Sequence, residues 1–438
     1  MSKIYISFLG TNDYIPCIYY KENQDFECKD VRFIQEATIR FACSDWSSSD
    51  RILIFTTQEA YMKNWMNDGH VDRKTKRHLN RTGLKECISR LNLPCPMIRI
   101  QIPEGKSVEE IWEIFGKVYE NLNQDDEVIF DITHAFRSIP MLAIVILNYA
   151  KVMKHITLGG VYYGAFEVLG SLDEAKRKPL EERRVPILDL TAFDQLLDWT
   201  VAVDRFTKAG DAGLIKPLAE RGLKRLLAES KGKDLNATTI RGIGRTLESF
   251  CTSMATCRSE LISPIGSRLK SLIEKCENAG LLPPFQPLFR LLREEIEPFN
   301  GEELSDGIAA AEWCFERNLI QQSATILREV VITYLVSHMQ GNAKDSTERK
   351  IAAAAINIAF NRIRGRESEK DIQENIRERI QAYHQICDQK PELVKIWGPL
   401  AKLRNDLNHA GYVRDPKVPS GFSKELPKLI ARVQSEIR

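Results

Sequence analysis

The most constraining feature of this sequence is a polar stretch that separates two apolar runs near residue 130. The first run, Glu127–Phe130, is short and rich in strand-forming residues, which is typical of a buried strand. The second run, Met141–Ala150, is long enough for a helix, and Ser138 and Pro140 suit its N-cap and first turn. The sequence therefore predicts a strand, a polar loop and a helix in direct succession.

In an open α/β sheet, ligands bind at the carboxyl ends of the strands, beside the N-termini of helices. Free backbone N–H groups at such a place favour phosphate, and the side chains of the 131–140 loop add further donors. An ordinary turn, whose polar residues only cap the helix, is the alternative interpretation. The side-chain donors in this loop are Thr133, His134, Arg137 and Ser138.

Strand-like and helix-like segments alternate over about the first 190 residues, which predicts a Rossmann-like parallel sheet. A hairpin is expected from 16–20 and 26–31, and helices are expected from 33–41 and 108–122. The remaining predicted strands are Lys3–Leu9, Arg51–Thr56, Met97–Ile102, Ile156–Tyr163 and Val185–Leu190.

Strand signals end near Thr191, and the later apolar patterns have helical spacing. Prolines between 283 and 298, followed by the turn-like pair Asn300 and Gly301, mark a boundary. We therefore expect three regions, which are an α/β domain at 1–190, a helical linker region at 191–302 and an all-α domain at 303–438.

The loop after the first predicted strand can bring backbone N–H groups and polar side chains to a phosphate or a base. It contains one glycine, so the Gly-x-Gly-x-x-Gly fingerprint of dinucleotide-binding domains is missing. A nucleotide-dependent oxidoreductase is therefore disfavoured, and a simple polar turn is the other interpretation. The candidate ligand-binding residues of this loop are Gly10, Thr11, Asn12 and Tyr14.

The composition is that of an ordinary globular chain, with 43% hydrophobic and 28% charged residues. The longest apolar run, 139–150, is shorter than the roughly 20 residues that span a bilayer, and the N-terminus does not resemble a signal peptide. The ten cysteines form no Cys-x-x-Cys pair, which is typical of reduced thiols. We expect a cytoplasmic protein with no membrane partner, no metal ion and no cofactor.

Near the C-terminus, Arg404 and His409 are separated by four residues on a predicted helix that stops at Gly411. Leu403 and Leu407 can face the core, while Arg404 and His409 flank the polar side. Residues 341–438 contain 19 Lys and Arg against 13 Asp and Glu, a local net charge of +6 within a chain of net charge +2. This basic region is compatible with a phosphate or RNA partner.

An Arg and His pair of this kind suits RNA cleavage without a metal ion. In that reaction the 2′-OH attacks the adjacent phosphate, which requires proton transfer by a histidine and charge stabilisation by an arginine. The spacing alone is weak, because Arg73 and His78, and also Arg379 and His384, share it. A surface arginine with an unrelated helix-end histidine is the alternative.

Two of these strings resemble known signatures. The string 131–135, Asp-Ile-Thr-His-Ala, resembles the Asp-x-Thr-His-Gly signature of CARF domains, which sense cyclic oligoadenylates; Ala135 stands in place of the usual glycine. The string 403–411, Leu-Arg-Asn-Asp-Leu-Asn-His-Ala-Gly, is similar to the motif of HEPN ribonuclease domains. The segment 197–206 resembles the helix that joins these two domains. The chain thus resembles CRISPR-associated CARF–HEPN ribonucleases, which are ancillary effectors of type III systems.

The resemblance implies a homodimer or higher oligomer, activated by a cyclic oligoadenylate, that cleaves single-stranded RNA. It favours cyclic tetra-adenylate over hexa-adenylate. It implies that Arg404 holds the scissile phosphate and His409 transfers protons, with Asn405 and Asp406 orienting them. The implied ligand-binding residues are Gly10, Thr11, Asn12, Tyr14, Thr133, His134, Phe136, Arg137 and Ser138.

Two alternatives remain open. The chain can be a cyclic-oligoadenylate sensor whose helical domain recruits a partner and has no nuclease activity. It can also be a ring nuclease that degrades the cyclic oligoadenylate, with His134 or Thr11 assisting attack by a 2′-OH.

Overall fold

The computed structural model describes residues 2–21, 25–72, 75–134, 139–221, 235–278, 283–366 and 374–437. The chain divides into two compact units, Met1–Gln195 and Leu196–Arg438. The further boundary expected near residue 302 stays a prediction.

The first unit is built on an eight-stranded sheet with the order β3-β2-β8-β7-β6-β1-β4-β5. The strands β7, β6, β1, β4 and β5 are parallel, as the alternating sequence pattern predicts. The strands are β1 (Lys3–Leu9), β2 (Cys17–Lys21), β3 (Phe26–Val31), β4 (Arg51–Thr56), β5 (Met97–Gln101), β6 (Glu127–Asp131), β7 (Thr157–Gly164) and β8 (Arg184–Asp189).

The predicted parallel arrangement does not extend to the pair β7 and β8. Strand β8 runs antiparallel to β7, and β3 runs antiparallel to β2 as the predicted hairpin. A parallel neighbour requires a connection that crosses from one end of the strands to the other, usually as an α-helix. The connection from β7 to β8 contains one six-residue helix and short 3₁₀ turns, so the chain returns beside β7 in the opposite direction. The sheet is therefore mixed.

Helices cover both faces of this sheet, which explains why its central strands are continuously apolar. On β1, Tyr5 packs into the core of one face, whereas Ile4 and Ile6 pack into the core of the other. The helices are α1 (Ile34–Ala42), α2 (Gln58–Ala60), α3 (Leu84–Ser89), α4 (Val108–Glu120), α5 (Ile139–Lys154), α6 (Leu172–Arg177) and the first turn of α7 (Thr191–Ala209).

The second unit is all-α in its described residues, as the loss of strand signals predicts, and a continuous apolar core runs through it. None of the described helices combines the length and apolar character that crossing a bilayer requires. The helices after α7 are α8 (215–221), α9 (Leu235–Ala255), α10 (Ser259–Asn278), α11 (Gln286–Ile296), α12 (Glu303–Glu316), α13 (Ile320–His338), α14 (Ser346–Ile363), α15 (Glu374–Gln389), α16 (Pro391–Asn408) and α17 (Pro419–Ile437).

Helix α16, which contains Arg404, packs closely against α14. A β-carbon placed on Gly398 of α16 would collide with the ring of Phe360 on α14. Because interiors are densely packed, this close approach fixes the position of α16 in the bundle. By contrast, a β-carbon on Gly116 of α4 would meet open space.

We predict that Gly398→Ala lowers the free energy of unfolding by about 1–3 kcal/mol, because the added methyl group overpacks the helix contact. The matched variant Gly116→Ala should raise it by about 0.5–1 kcal/mol, since alanine is the better helix former. Chemical denaturation of both variants measures the difference. A Gly398→Ala protein as stable as the parent would contradict the close contact.

Candidate functional site

A cavity of about 250 Å³ lies at the carboxyl ends of β1 and β6. These strands are neighbours, with Ser7 opposite Asp131, so the loops that follow them meet. The loops bring together six of the predicted ligand-binding residues, whereas Phe136, Arg137 and Ser138 lie outside the described residues. The lining residues are Phe8, Leu9, Gly10, Thr11, Asn12, Tyr14, Ile102, Thr133 and His134.

Asp131, at the end of β6, is fully buried and anchors the second loop. Its Oδ2 accepts hydrogen bonds from the hydroxyls of Tyr5 at 3.0 Å and Ser7 at 3.2 Å. Its Oδ1 accepts from the backbone N–H of Thr133 at 3.0 Å and from its hydroxyl at 2.6 Å. Burial raises the pKa of Asp131, and these donors oppose that rise by stabilising the carboxylate. The Asp-x-Thr spacing thus produces a turn that is closed by hydrogen bonds between its first and third residues.

The hydroxyl of Thr133 is largely committed to the fold. Besides donating to Asp131, its Oγ1 accepts a hydrogen bond from the backbone N–H of Gly164 at 2.8 Å. This bond ties the loop to the end of β7. Thr133 therefore shapes the cavity wall, which leaves His134 as the next side chain along the loop that lines the cavity.

The loop after β1 is fixed by hydrogen bonds from residues that the sequence analysis did not identify as site residues. The side-chain Nδ2 of Asn64 donates to the carbonyls of Gly10 and Asn12, both at 2.9 Å. The Oδ1 of Asn64 accepts from Arg32 at 3.2 Å, and Arg32 also donates to the carbonyl of Tyr14 at 3.0 Å. Asn64 lies in a π-helical turn, Tyr61–Trp65, and no local motif reveals this long-range role.

His134 and Tyr14 form one wall of the cavity, with ring centroids 4.3 Å apart and planes inclined by 33°. A side chain at Gly10 would collide with the Tyr14 hydroxyl, so this arrangement requires the glycine. The Nε2 atom of His134 is buried and has no hydrogen-bond partner among the described residues. Burial lowers the pKa of His134 to about 4, so the ring is neutral near pH 7 and can hydrogen-bond a ligand.

We predict that His134 makes stability depend on pH between about 4 and 6.5. In this window the unfolded chain binds a proton that the folded chain excludes, so the free energy of unfolding falls as pH falls. Unfolding of the parent and of His134→Gln, measured at several pH values, isolates this contribution. The parent should lose stability relative to the variant on acidification. A constant difference, or a pKa near 6.5 by NMR, would contradict the burial.

The second candidate site is the C-terminal end of α16. Leu403 is fully buried and Leu407 packs partly against the same core, as the spacing predicts. Arg404 is half-buried on the opposite side. The helix ends at Asn408, and His409 is the exposed residue that follows it, so the two predicted catalytic side chains lie at one helix end.

Asn408 holds Arg404 in place. With its amide oxygen turned toward Arg404, that oxygen accepts hydrogen bonds from Nε at 2.8 Å, Nη2 at 3.0 Å and Nη1 at 3.1 Å. Gln321 of α13 lies 3.2 Å from the same amide. An i,i+4 spacing places Arg404 and Asn408 on one face of a helix, whereas Gln321 could only be found from the packing of α13 on α16.

Asn405 and Asp406 have different surroundings. Asn405 is exposed, with its Oδ1 3.4 Å from Nη1 of Arg404. Asp406 is buried and accepts a hydrogen bond from the backbone N–H of Lys417 at 2.7 Å. Asp406 therefore fixes the chain after His409, where Ala410 and Gly411 have positive φ values of 52° and 80°. Its influence on His409 is through this turn.

The other Arg-x4-His match with both residues described has a structural explanation. His384 is buried, with its Nε2 3.2 Å from the carbonyl of Ala355, and Arg379 is ion-paired with Glu348. Of the remaining pair, Arg73 lies outside the described residues, while His78 is exposed. Within the described chain, no group of three or more His, Cys, Asp and Glu side chains is placed to hold a metal ion.

Comparison with known proteins gives one relative of interest. The chain is 27% identical over 218 residues to CRISPR-associated protein MJ1674 of Methanocaldococcus jannaschii. This similarity supports a CRISPR-associated family. The alignment covers 49% of this chain and 30% of the relative, so the match spans less than a third of the relative's length. No protein-family model matches the chain.

Proposed function

We propose that this protein is a cyclic-oligoadenylate-activated endoribonuclease that cleaves single-stranded RNA without a metal ion, in type III CRISPR antiviral defence. The observation that carries the proposal is the end of α16, where Asn408 holds Arg404 one turn from the exposed His409. The similarity to a CRISPR-associated protein supports the biological setting.

The proposed reaction needs no group beyond the RNA and these side chains. The 2′-oxygen attacks the adjacent phosphorus while an imidazole takes the 2′-OH proton. The bond from phosphorus to the 5′-oxygen breaks, and that oxygen receives a proton, which leaves a 2′,3′-cyclic phosphate and a 5′-hydroxyl. Arg404 stabilises the extra negative charge on the phosphoryl oxygens. His409 is proposed as the proton-transfer group.

The cavity of the first unit is the proposed activator site. Its walls offer the aromatic ring of Tyr14, on which a base can stack, and the neutral imidazole of His134. Loop backbone at 10–12 and the polar side chains of Thr11 and Asn12 can approach phosphate or ribose. These features suit an oligoadenylate, with cyclic tetra-adenylate as the proposed ring.

Helix α5 supports the proposal of a dimer. Its exposed apolar side chains recur at helical spacing and are between 44% and 73% exposed. Contiguous exposed apolar surface of this kind marks an interface, and the helix begins at Ile139, a few residues along the chain from the cavity residue His134. A second copy packed here would bring two activator loops toward one two-fold symmetric ring. The side chains are Met141, Ile144, Val145, Tyr149, Val152 and Met153.

Activation requires that the ring binds the cleavage-competent arrangement more tightly than the resting one, since equal affinity shifts neither population. We place the coupling in the helices between Thr191 and Asn300, which connect the sensor sequence to the nuclease sequence. Composite HEPN sites at the dimer axis would then respond to the bound ring.

We predict that the purified protein cleaves a fluorescent single-stranded RNA in EDTA when cyclic tetra-adenylate is added. His409→Ala should abolish cleavage without loss of ring binding, because it removes the proposed proton carrier. His78→Ala, which changes another exposed histidine of the same sequence spacing, should cleave like the parent. Gel analysis of the RNA and calorimetry of the ring provide the two measurements.

Cleavage that depends on a divalent metal would refute the mechanism. Ring binding with intact RNA would instead favour a sensor that recruits a partner. Activation by cyclic hexa-adenylate alone would correct the proposed ring size and leave the mechanism standing.

We also predict that Asn408→Ala slows cleavage by about 10- to 100-fold, because a misplaced guanidinium loses alignment with the transition state. The loss should fall on kcat in single-turnover assays, since Arg404 retains its charge. Lys395→Ala, at an exposed position near the other end of the same helix, is the control. Unchanged kcat in Asn408→Ala would show that Arg404 needs no such support.

A ring nuclease is the second candidate, and one observation favours it. His134, whose buried Nε2 has no hydrogen-bond partner among the described residues, lines the same cavity as Thr11. Chromatography of cyclic tetra-adenylate after incubation distinguishes the activities. Ring degradation that is lost in His134→Ala and kept in His409→Ala would assign it to this cavity.

A further inference from the structure

A group of basic side chains lies between α13 and α16, close to Arg404. The guanidinium of Arg328, on α13, lies 4.9 Å from the ring centroid of Trp397 on α16. The Arg328 side chain is 22% exposed, so it is neither free in solvent nor sealed in the core. The same two helices meet at Gln321 and Asn408, and Asn408 in turn contacts Arg404.

The charges in this group do not balance. Glu329 accepts from Arg328 at 2.7 Å and from Arg349 at 2.7 Å, so two cations share one carboxylate. Arg349 is further fixed by Thr333 at 3.0 Å and the carbonyl of Ala343 at 2.9 Å. With Arg404, which contacts neutral amides, the three arginines exceed this carboxylate by two charges.

The excess positive charge acts on the pKa of Arg328. Desolvation lowers the pKa of Arg328, Glu329 raises it, and both Arg404 and Arg349 lower it further. Like charges held together in a half-buried place repel more strongly than in open water. The hydrogen bonds of Arg349 account for its position. Arg328 instead stacks on Trp397 and shares the carboxylate of Glu329 with Arg349. Its planar donors suit a phosphate.

We propose that Arg328 binds a second phosphate of the RNA chain, next to the phosphate held by Arg404. The assignment rests on the proposed ribonuclease function and names a substrate contact for it. An RNA strand crossing this place would supply the negative charge that the group lacks. A purely structural role, in which Arg328 only packs on Trp397, predicts no effect on the salt dependence of RNA binding.

The test measures RNA binding by the full-length His409→Ala protein, with cyclic tetra-adenylate present, at several salt concentrations. The binding constant K falls as salt rises, so the slope of log K against log salt is negative. Adding Arg328→Gln should reduce the magnitude of this slope by about 0.7, the value for one contact to a single strand. At ~0.1 M salt this corresponds to about fivefold weaker binding. Arg328→Lys should restore the slope, because it keeps the charge while changing the packing on Trp397.

Arg432→Gln is the matched control, since Arg432 is paired with Glu392 at the opposite end of α16. An unchanged slope in Arg328→Gln, in a protein that binds RNA, would overturn the Arg328 assignment and leave the ribonuclease proposal intact. A reduced slope that Arg328→Lys fails to restore would also overturn the assignment, because a contact made by the charge of residue 328 survives that exchange. Absence of RNA binding and of cleavage in the parent would overturn both proposals.

Discussion

A carboxylate buried between strands must be paired, and the geometry of the first unit depends on how Asp131 is paired. Its two oxygens collect donors from β1, through Tyr5 and Ser7, and from the loop that follows β6, through Thr133. Removing one hydroxyl donor from such a buried carboxylate typically costs about 1.5–3 kcal/mol. The interaction therefore fixes the register of two central strands and the start of the loop that lines the cavity. The placement of His134 in the cavity follows from it.

The parallel centre of the sheet could be predicted because β1, β4 and β6 are apolar on both faces and are separated along the chain by segments with helical spacing. The direction of β8 could not be predicted, because Arg184–Asp189 has the same local pattern whichever way it runs. Its direction depends on the connection after Gly164, whose short helix and 3₁₀ turns do not cross the sheet. The direction of β8 thus depends on the connection that precedes it, and the residues of the strand carry little information about it.

The residues of the candidate sites also differ in whether local sequence could predict them. Residues in contiguous strings, such as Thr133 with His134 and Arg404 with His409, were visible because local sequence carries their spacing. Asn64, Arg32 and Gln321 were not, since each acts on a segment far away in the chain. A polar residue that supports distant backbone leaves no periodic or motif signal. Only the fold identifies it.

The end of α16 shows how one helix serves the core and a candidate catalytic surface together. Leu403 and Asp406 face inward, and Asp406 fixes the following turn through Lys417. Arg404 and His409 lie on the other side, where Asn408 and the neighbouring helix α13 restrict the arginine. Changes to the buried side therefore alter the position of His409 without touching it. A loss of cleavage after a core substitution in α16 must be read against stability before it is assigned to chemistry.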